Sequence, residues 1–214
     1  LVSSQLFSNY TMEGVSPIDE KKMTGTQQRI IDAALHLISQ VGYKSTTTKL
    51  IAQEAEVNET TIFKNFKSKE ALMNVAFKQH ANQIKEEVDS FFQQEFENSR
   101  DLLKRTGHFI QDTYEKHRYV VIGSIKEVGN EKEKTIFNYK QEYINAALSE
   151  KLQEFPDADH FCQKDYETIS FIYNNAIVAL LLQKIQQNGE QKKSAITLEN
   201  IIDMTLRPFD EEQV

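Results

Sequence analysis

Lys69 directly follows Ser68, a residue type that caps helices, so a cationic side chain stands beside helix N-terminal amides that lack partners within their own helix. That combination suits a phosphate. A few residues upstream, Ile62 and Phe66 lie four apart, which would bury one helical face and leave Glu59, Thr60, Thr61, Lys64 and Asn65 pointing outward. These outward groups are hydrogen-bond donors and acceptors, the chemistry needed at base edges rather than in a core. The whole stretch, TTTKLIAQEAEVNETTIFKNFKSKEAL over residues 46–72, has the order of a DNA-reading helix-turn-helix: short helix, tight turn, second helix, capped third helix.

The elements that position these groups follow from caps and apolar spacing. Thr26 is the expected cap of a scaffold helix whose stripe is Ile30, Ile31, Ala34, Leu35, Ile38 and Val41, with Gly42 as its stop. A short helix is predicted from about Thr47 to Ala55, with Leu50, Ile51, Ala52 and Ala55 on its apolar side. Glu56 and Val57 break that pattern, and Asn58 is the expected cap of the second helix. From Ser68 a long amphipathic helix is predicted to about Gln94, with Leu72, Val75, Ala76, Ile84 and Val88 inward, linking a small head to a larger body.

Charge follows the same division. The chain has 214 residues and a formal net charge of −7, an acidic sum that argues against nucleic acid until it is resolved by region. Residues 21–70 hold eight Lys or Arg against five acids, a net +3, whereas residues 1–20 are −3 and residues 71–214 are −7. The positive part is the part with the helix-turn-helix pattern. Seven Gly, three Pro and apolar spacings of three and four predict an all-α chain. A single cysteine, Cys162, excludes an internal disulfide framework, and the longest apolar run, residues 176–182, is too short to span a bilayer. A soluble, cytoplasmic protein is expected, with residues 1–24 as a polar extension.

The body reads as helices over about 100–115, 118–128, 131–154, 164–188 and 196–206. Segment 164–188 is apolar nearly all round: Ile169, Ile172, Tyr173, Ala176 and Leu180 make one face, and Phe171, Val178, Leu181, Leu182 and Ile185 another. Such a helix must be covered on more than one side, and together with 196–206 it is the expected homodimer surface. The body is rich in aromatics, of which Phe109, Tyr114, Phe137, Tyr143 and Phe171 are the candidate ligand-lining residues for an apolar or aromatic small molecule, with few polar groups inside. His108 and His117 are expected as core or surface residues with satisfied hydrogen bonds. Asp157, Asp159, His160 and Cys162 are metal-ligand types but crowd into one loop without a second cluster, so no metal and no cofactor is expected. Paired carboxylates, a Gly-rich phosphate loop and a Ser/His/Asp arrangement are all missing at informative spacing, so the chain is not expected to be an enzyme.

Residues 26–72 resemble the TetR family of one-component bacterial transcription regulators. The resemblance is carried by the scaffold helix ending Gly42-Tyr43, then Thr46-Thr47, Ile51-Ala52, Ala55, Val57, Thr61-Ile62-Phe63, Phe66 and Ser68-Lys69-Glu70-Ala71-Leu72. It implies a helical homodimer with a DNA-binding head over 25–70 and a dimerising, ligand-holding domain over 71–214. By position, Thr47, Thr48 and Lys69 would hold phosphates, Lys49, Glu59, Thr60 and Lys64 would face base edges, and Thr61, Phe63 and Asn65 would seat the recognition helix. Three departures stand out: Glu56 where the family prefers a turn glycine, Phe63 where a tyrosine is usual, and Glu59, which repels phosphate unless it accepts from cytosine or pairs with a lysine.

The expected function is therefore a ligand-responsive regulator, a repressor that binds a palindromic double-stranded operator as a homodimer and is released by a small, largely apolar effector. The alternative is a helical dimeric interaction module with lost or weak DNA binding, motivated by Glu56, Glu59 and Phe63.

Overall fold

The computed structural model describes residues 23–118, 136–155, 161–186 and 196–210. Every regular element among them is a helix: α1 Gly25–Ser45, α2 Thr48–Glu54, α3 Glu59–Phe66, α4 Lys69–Phe92, α5 Ser99–Lys116, α6 Ile136–Leu152, α7 Gln163–Gln186 and α8 Leu198–Asp210. The expected all-α class is what the described residues show. The helix expected over 118–128 and the extension over 1–22 lie outside them.

The chain divides into two compact units, whose described residues are 23–84, 118 and 136–139 for the first, and 85–117 with those from 140 onward for the second. α4 contributes residues 69–84 to the first and 85–92 to the second.

In the first unit, α1 begins two residues earlier than expected. Its cap is Thr24, not Thr26: the Gln27 amide donates to Thr24 Oγ1 at 3.2 Å, and the Thr24 amide donates to Gln27 Oε1 at 2.9 Å. Reciprocal satisfaction of two orphan amides selects the threonine that has a glutamine three residues on. Gly42 does interrupt the helix, as expected. It takes φ 79°, ψ 165°, a kink open to glycine, and the chain resumes helical turns to Ser45 before Thr46 closes the end by donating from N and Oγ1 to the Gly42 carbonyl. One core joins this unit: Ile30, Ile31, Ala34 and Ile38 of α1, Ile51 and Ala52 of α2, Ile62 and Phe66 of α3, and Leu72, Met73 and Ala76 of α4.

In the second unit, α5, α7 and α8 pack against one another. Gly107 allows a close approach, since a Cβ there would lie 2.6 Å from Leu198 Cδ1 and 2.8 Å from the Tyr173 hydroxyl oxygen. Tyr173 is fully buried and donates to the Leu103 carbonyl. α7 is apolar on two faces as expected, but Phe171 and Ile172 stay exposed within the protomer at 58% and 59%, as do Ile196 and Met204 near and on α8.

Candidate nucleic-acid interface

The turn between α2 and α3 is built by two backbone hydrogen bonds. The Val57 amide donates to the Ala52 carbonyl at 2.9 Å and the Glu56 amide to the Gln53 carbonyl at 3.2 Å, which satisfies the last carbonyls of α2 and forces the intervening residue into the left-handed region. That residue is Glu56, at φ 54°. The expectation of a less relaxed backbone at this non-glycine position is what the dihedral shows.

Thr47 caps α2, its hydroxyl accepting from the Leu50 amide at 3.2 Å, and Ser68 caps α4, accepting from the Ala71 amide at 3.0 Å. Asn58 occupies the cap position of α3 but makes no side-chain cap bond, contrary to its expected role. Ile62 and Phe66 are buried, and the opposite side of α3 presents Glu59, Thr60, Phe63 and Lys64 to solvent, with Phe63 47% exposed. Lys49 on α2 is exposed as well. An outward row of donors, acceptors and one aromatic ring on a short, well-anchored helix is chemically able to read a groove.

Five of the expected contact residues are already engaged within the protein: Thr47 as a cap, and Thr48, Glu59, Asn65 and Lys69 as follows. Glu59 accepts from the Thr48 hydroxyl, an intramolecular partner other than the cytosine or lysine that the sequence left open. Asn65 turns back along its helix and donates to the Thr61 carbonyl at 2.7 Å. The Lys69 ammonium donates to the Tyr43 carbonyl at 2.5 Å and lies 4.2 Å from the centre of the Tyr43 ring. Lys69 thus ties the end of α1 to the start of α4, a role for Tyr43 that sequence spacing did not disclose. Thr61 is half-buried beside the recognition row.

The candidate ligand residues differ in their burial. Phe109 stacks on Phe91 with centroids 4.3 Å apart, Tyr114 and Tyr143 are buried, and Phe171 is exposed. The side chain of Phe137 lies outside the described residues, as do Asp157, Asp159 and His160. Cys162 is exposed. His117 is buried with a hydrogen bond to Glu87 at 3.0 Å, matching the expected satisfied core histidine, whereas His108 is exposed. Lys140, Gln141, Ser170 and Asn174 are buried polar side chains of the second unit. Among the described residues no helix is long and apolar enough to cross a membrane.

Residues 30–76 match the family described as bacterial regulatory proteins, tetR family. The HTH-type transcriptional regulator YvkB of Bacillus subtilis is 48% identical over 60 residues, 28% of this chain, and the match spans only 32% of that relative's length. YhgD of the same organism, also an HTH-type transcriptional regulator, is 24% identical over 188 residues, covering 84% of this chain and 91% of that protein. Among solved structures, the regulator FadR of Bacillus subtilis in complex with stearoyl-CoA superposes with a TM-score of 0.63 at 17% identity, over 85% of this chain and 98% of that one. The fatty acid degradation regulator FadR of Bacillus halodurans gives 0.61 at 17% identity, over 88% and 96%.

Proposed function

We propose that this chain, whose residues 30–76 match the tetR family, is a regulator of that kind, which represses transcription as a homodimer on a palindromic operator and is released by a small, largely apolar effector. The observation that carries the DNA-binding part is the outward row on α3, Glu59, Thr60, Phe63 and Lys64, flanked by Lys49 and by the capped starts of α2 and α4. In this reading Lys49, Glu59, Thr60 and Lys64 face base edges, Thr47, Thr48 and Lys69 lie along phosphates, and Thr61, Phe63 and Asn65 seat the helix.

A dimer is supported by exposed Phe171, Ile172 and Met204 on α7 and α8, large apolar side chains that a second copy would cover. Two copies place two recognition helices about one helical turn of DNA apart, roughly 34 to 36 Å, which one short helix cannot exploit alone. The effector reading is supported by the fold neighbour that carries stearoyl-CoA. An effector shifts the DNA equilibrium only by its differential affinity for the two head arrangements.

The test is selection of duplexes from a random pool by the full chain. A two-fold symmetric winner supports the reading; no enrichment moves the interaction-module reading, favoured by the acidic Glu59 within the recognition row, to first place.

A further inference from the structure

Lys140 of α6 is 1% exposed, and its ammonium has no hydrogen-bond partner among the described residues. It lies 3.7 Å from the centre of the Tyr114 ring on α5. A desolvated cation over an aromatic face gains some attraction, but burial of an ammonium without an acceptor costs more than a ring returns.

Among the described residues, the neighbouring charges do not supply that acceptor. Glu87 of α4 is the acid whose field reaches Lys140, and its two carboxylate oxygens are taken by Lys116 and by His117 Nε2. Asp89 of α4 accepts from Lys85 and from the Tyr143 hydroxyl. Lys85 with Asp89, and Lys116 with Glu87, therefore balance in pairs, and His117 is held below the ordinary imidazole range by burial despite the pull of Glu87. Among these described groups, a protonated Lys140 is the positive charge without a paired acid. One turn from each of the two residues the packing is apolar, with Ile110 four before Tyr114 and Ile144 four after Lys140, both fully buried in the core.

We propose that the second unit contains an anion-recognition site centred on Lys140, which takes the carboxylate head of an otherwise apolar small molecule. This rests on the reading of that unit as the effector domain and gives the effector a class: a monocarboxylate, whose single charge matches the ammonium without a paired acid. Burial holds the Lys140 ammonium well down, to about 7, so binding above that pH draws in a proton as the carboxylate restores the charged form.

The experiment is calorimetric titration of the full chain with dodecanoate, dodecanol and dodecyl phosphate, for wild type and Lys140→Met, in two buffers of different ionisation heat. Wild type is expected to prefer dodecanoate over dodecanol by about tenfold or more, the range of a charge-assisted hydrogen bond, and Lys140→Met to lose that preference while keeping its affinity for the alcohol. At pH 8 the wild type is expected to take up a proton with the acid and none with the alcohol. If the variant does not fold, the wild-type acid-to-alcohol ratio and proton uptake still decide. Equal binding of acid and alcohol, a preference that survives Lys140→Met, a preference for the phosphate ester, or no binding by any of the three overturns the proposal. Operator release is read separately: acid preference without a change in DNA binding sinks the release reading and leaves the anion site, whereas equal release by acid and alcohol does the reverse.

Discussion

The Thr48 hydroxyl donates to Oε1 of Glu59, joining the first residue of α2 to the first residue of α3. The bond makes an acidic residue part of the helix-turn-helix geometry, at a place where its charge opposes a phosphate backbone. Glu59→Gln keeps an acceptor for Thr48 and removes the charge. Duplex affinity is expected to rise several-fold at low salt and to converge with wild type as salt screens the difference, measured by titration at a series of salt concentrations. An unchanged affinity at low salt would show that Glu59 lies away from the phosphates.

Glu56 sits at φ 54° in the turn, where a side chain with a Cβ costs about 1 kcal/mol relative to glycine. Glu56→Gly is therefore expected to raise stability by roughly that amount in urea unfolding, with the slope against denaturant unchanged.

Gly107 of α5 has Leu198 and Tyr173 within 3 Å of where a Cβ would stand, and Tyr173 is held by its bond to the Leu103 carbonyl. Gly107→Val is expected to destabilise by about 2 kcal/mol through overpacking, read in the same unfolding experiment. Gly25→Ala, at a position with nothing within 4 Å, is the control and is expected to be neutral or mildly stabilising.

Lys140 links stability to pH. Burial depresses its folded value to about 7 from an ordinary 10.5, so between those limits the unfolded chain binds more protons than the folded one. Stability from this group is lowest below pH 7 and grows as pH rises toward 10.5, by up to about 1.4 kcal/mol per pH unit. The difference in unfolding free energy between wild type and Lys140→Met, measured from pH 7 to 10, is expected to move in favour of wild type. A difference flat with pH would contradict the buried, depressed ammonium.

Much of the head was legible because its signals are local. Thr47 and Ser68 are caps in sequence and in structure, and the Ile62 and Phe66 spacing placed the buried side of α3. The start of α1 was missed because two threonines compete there, and the reciprocal bond with Gln27 decides between them. Asn65 and Lys69 carried donor chemistry that sequence could assign outward, whereas the carbonyls they meet, Thr61 and Tyr43, are set by backbone position. Lys140 was invisible for a different reason. On a helix, a lysine among polar residues reads as solvated, and it is tertiary packing, with the Tyr114 ring of α5 against the ammonium, that makes it a buried cation.

The most direct test of the central claim is the salt dependence of duplex binding by wild type, Lys64→Ala and Lys69→Ala, on a selected site and on an unrelated duplex. The account predicts a steep fall in affinity with salt for wild type. Lys64→Ala should lose about 1 to 3 kcal/mol on the selected site alone, and Lys69→Ala should weaken both duplexes alike and lower the salt slope by about 1. Binding that is absent or insensitive to salt, or losses that do not distinguish the two lysines, would contradict the assignment of α3 as the reading helix and of the α4 start as a phosphate contact.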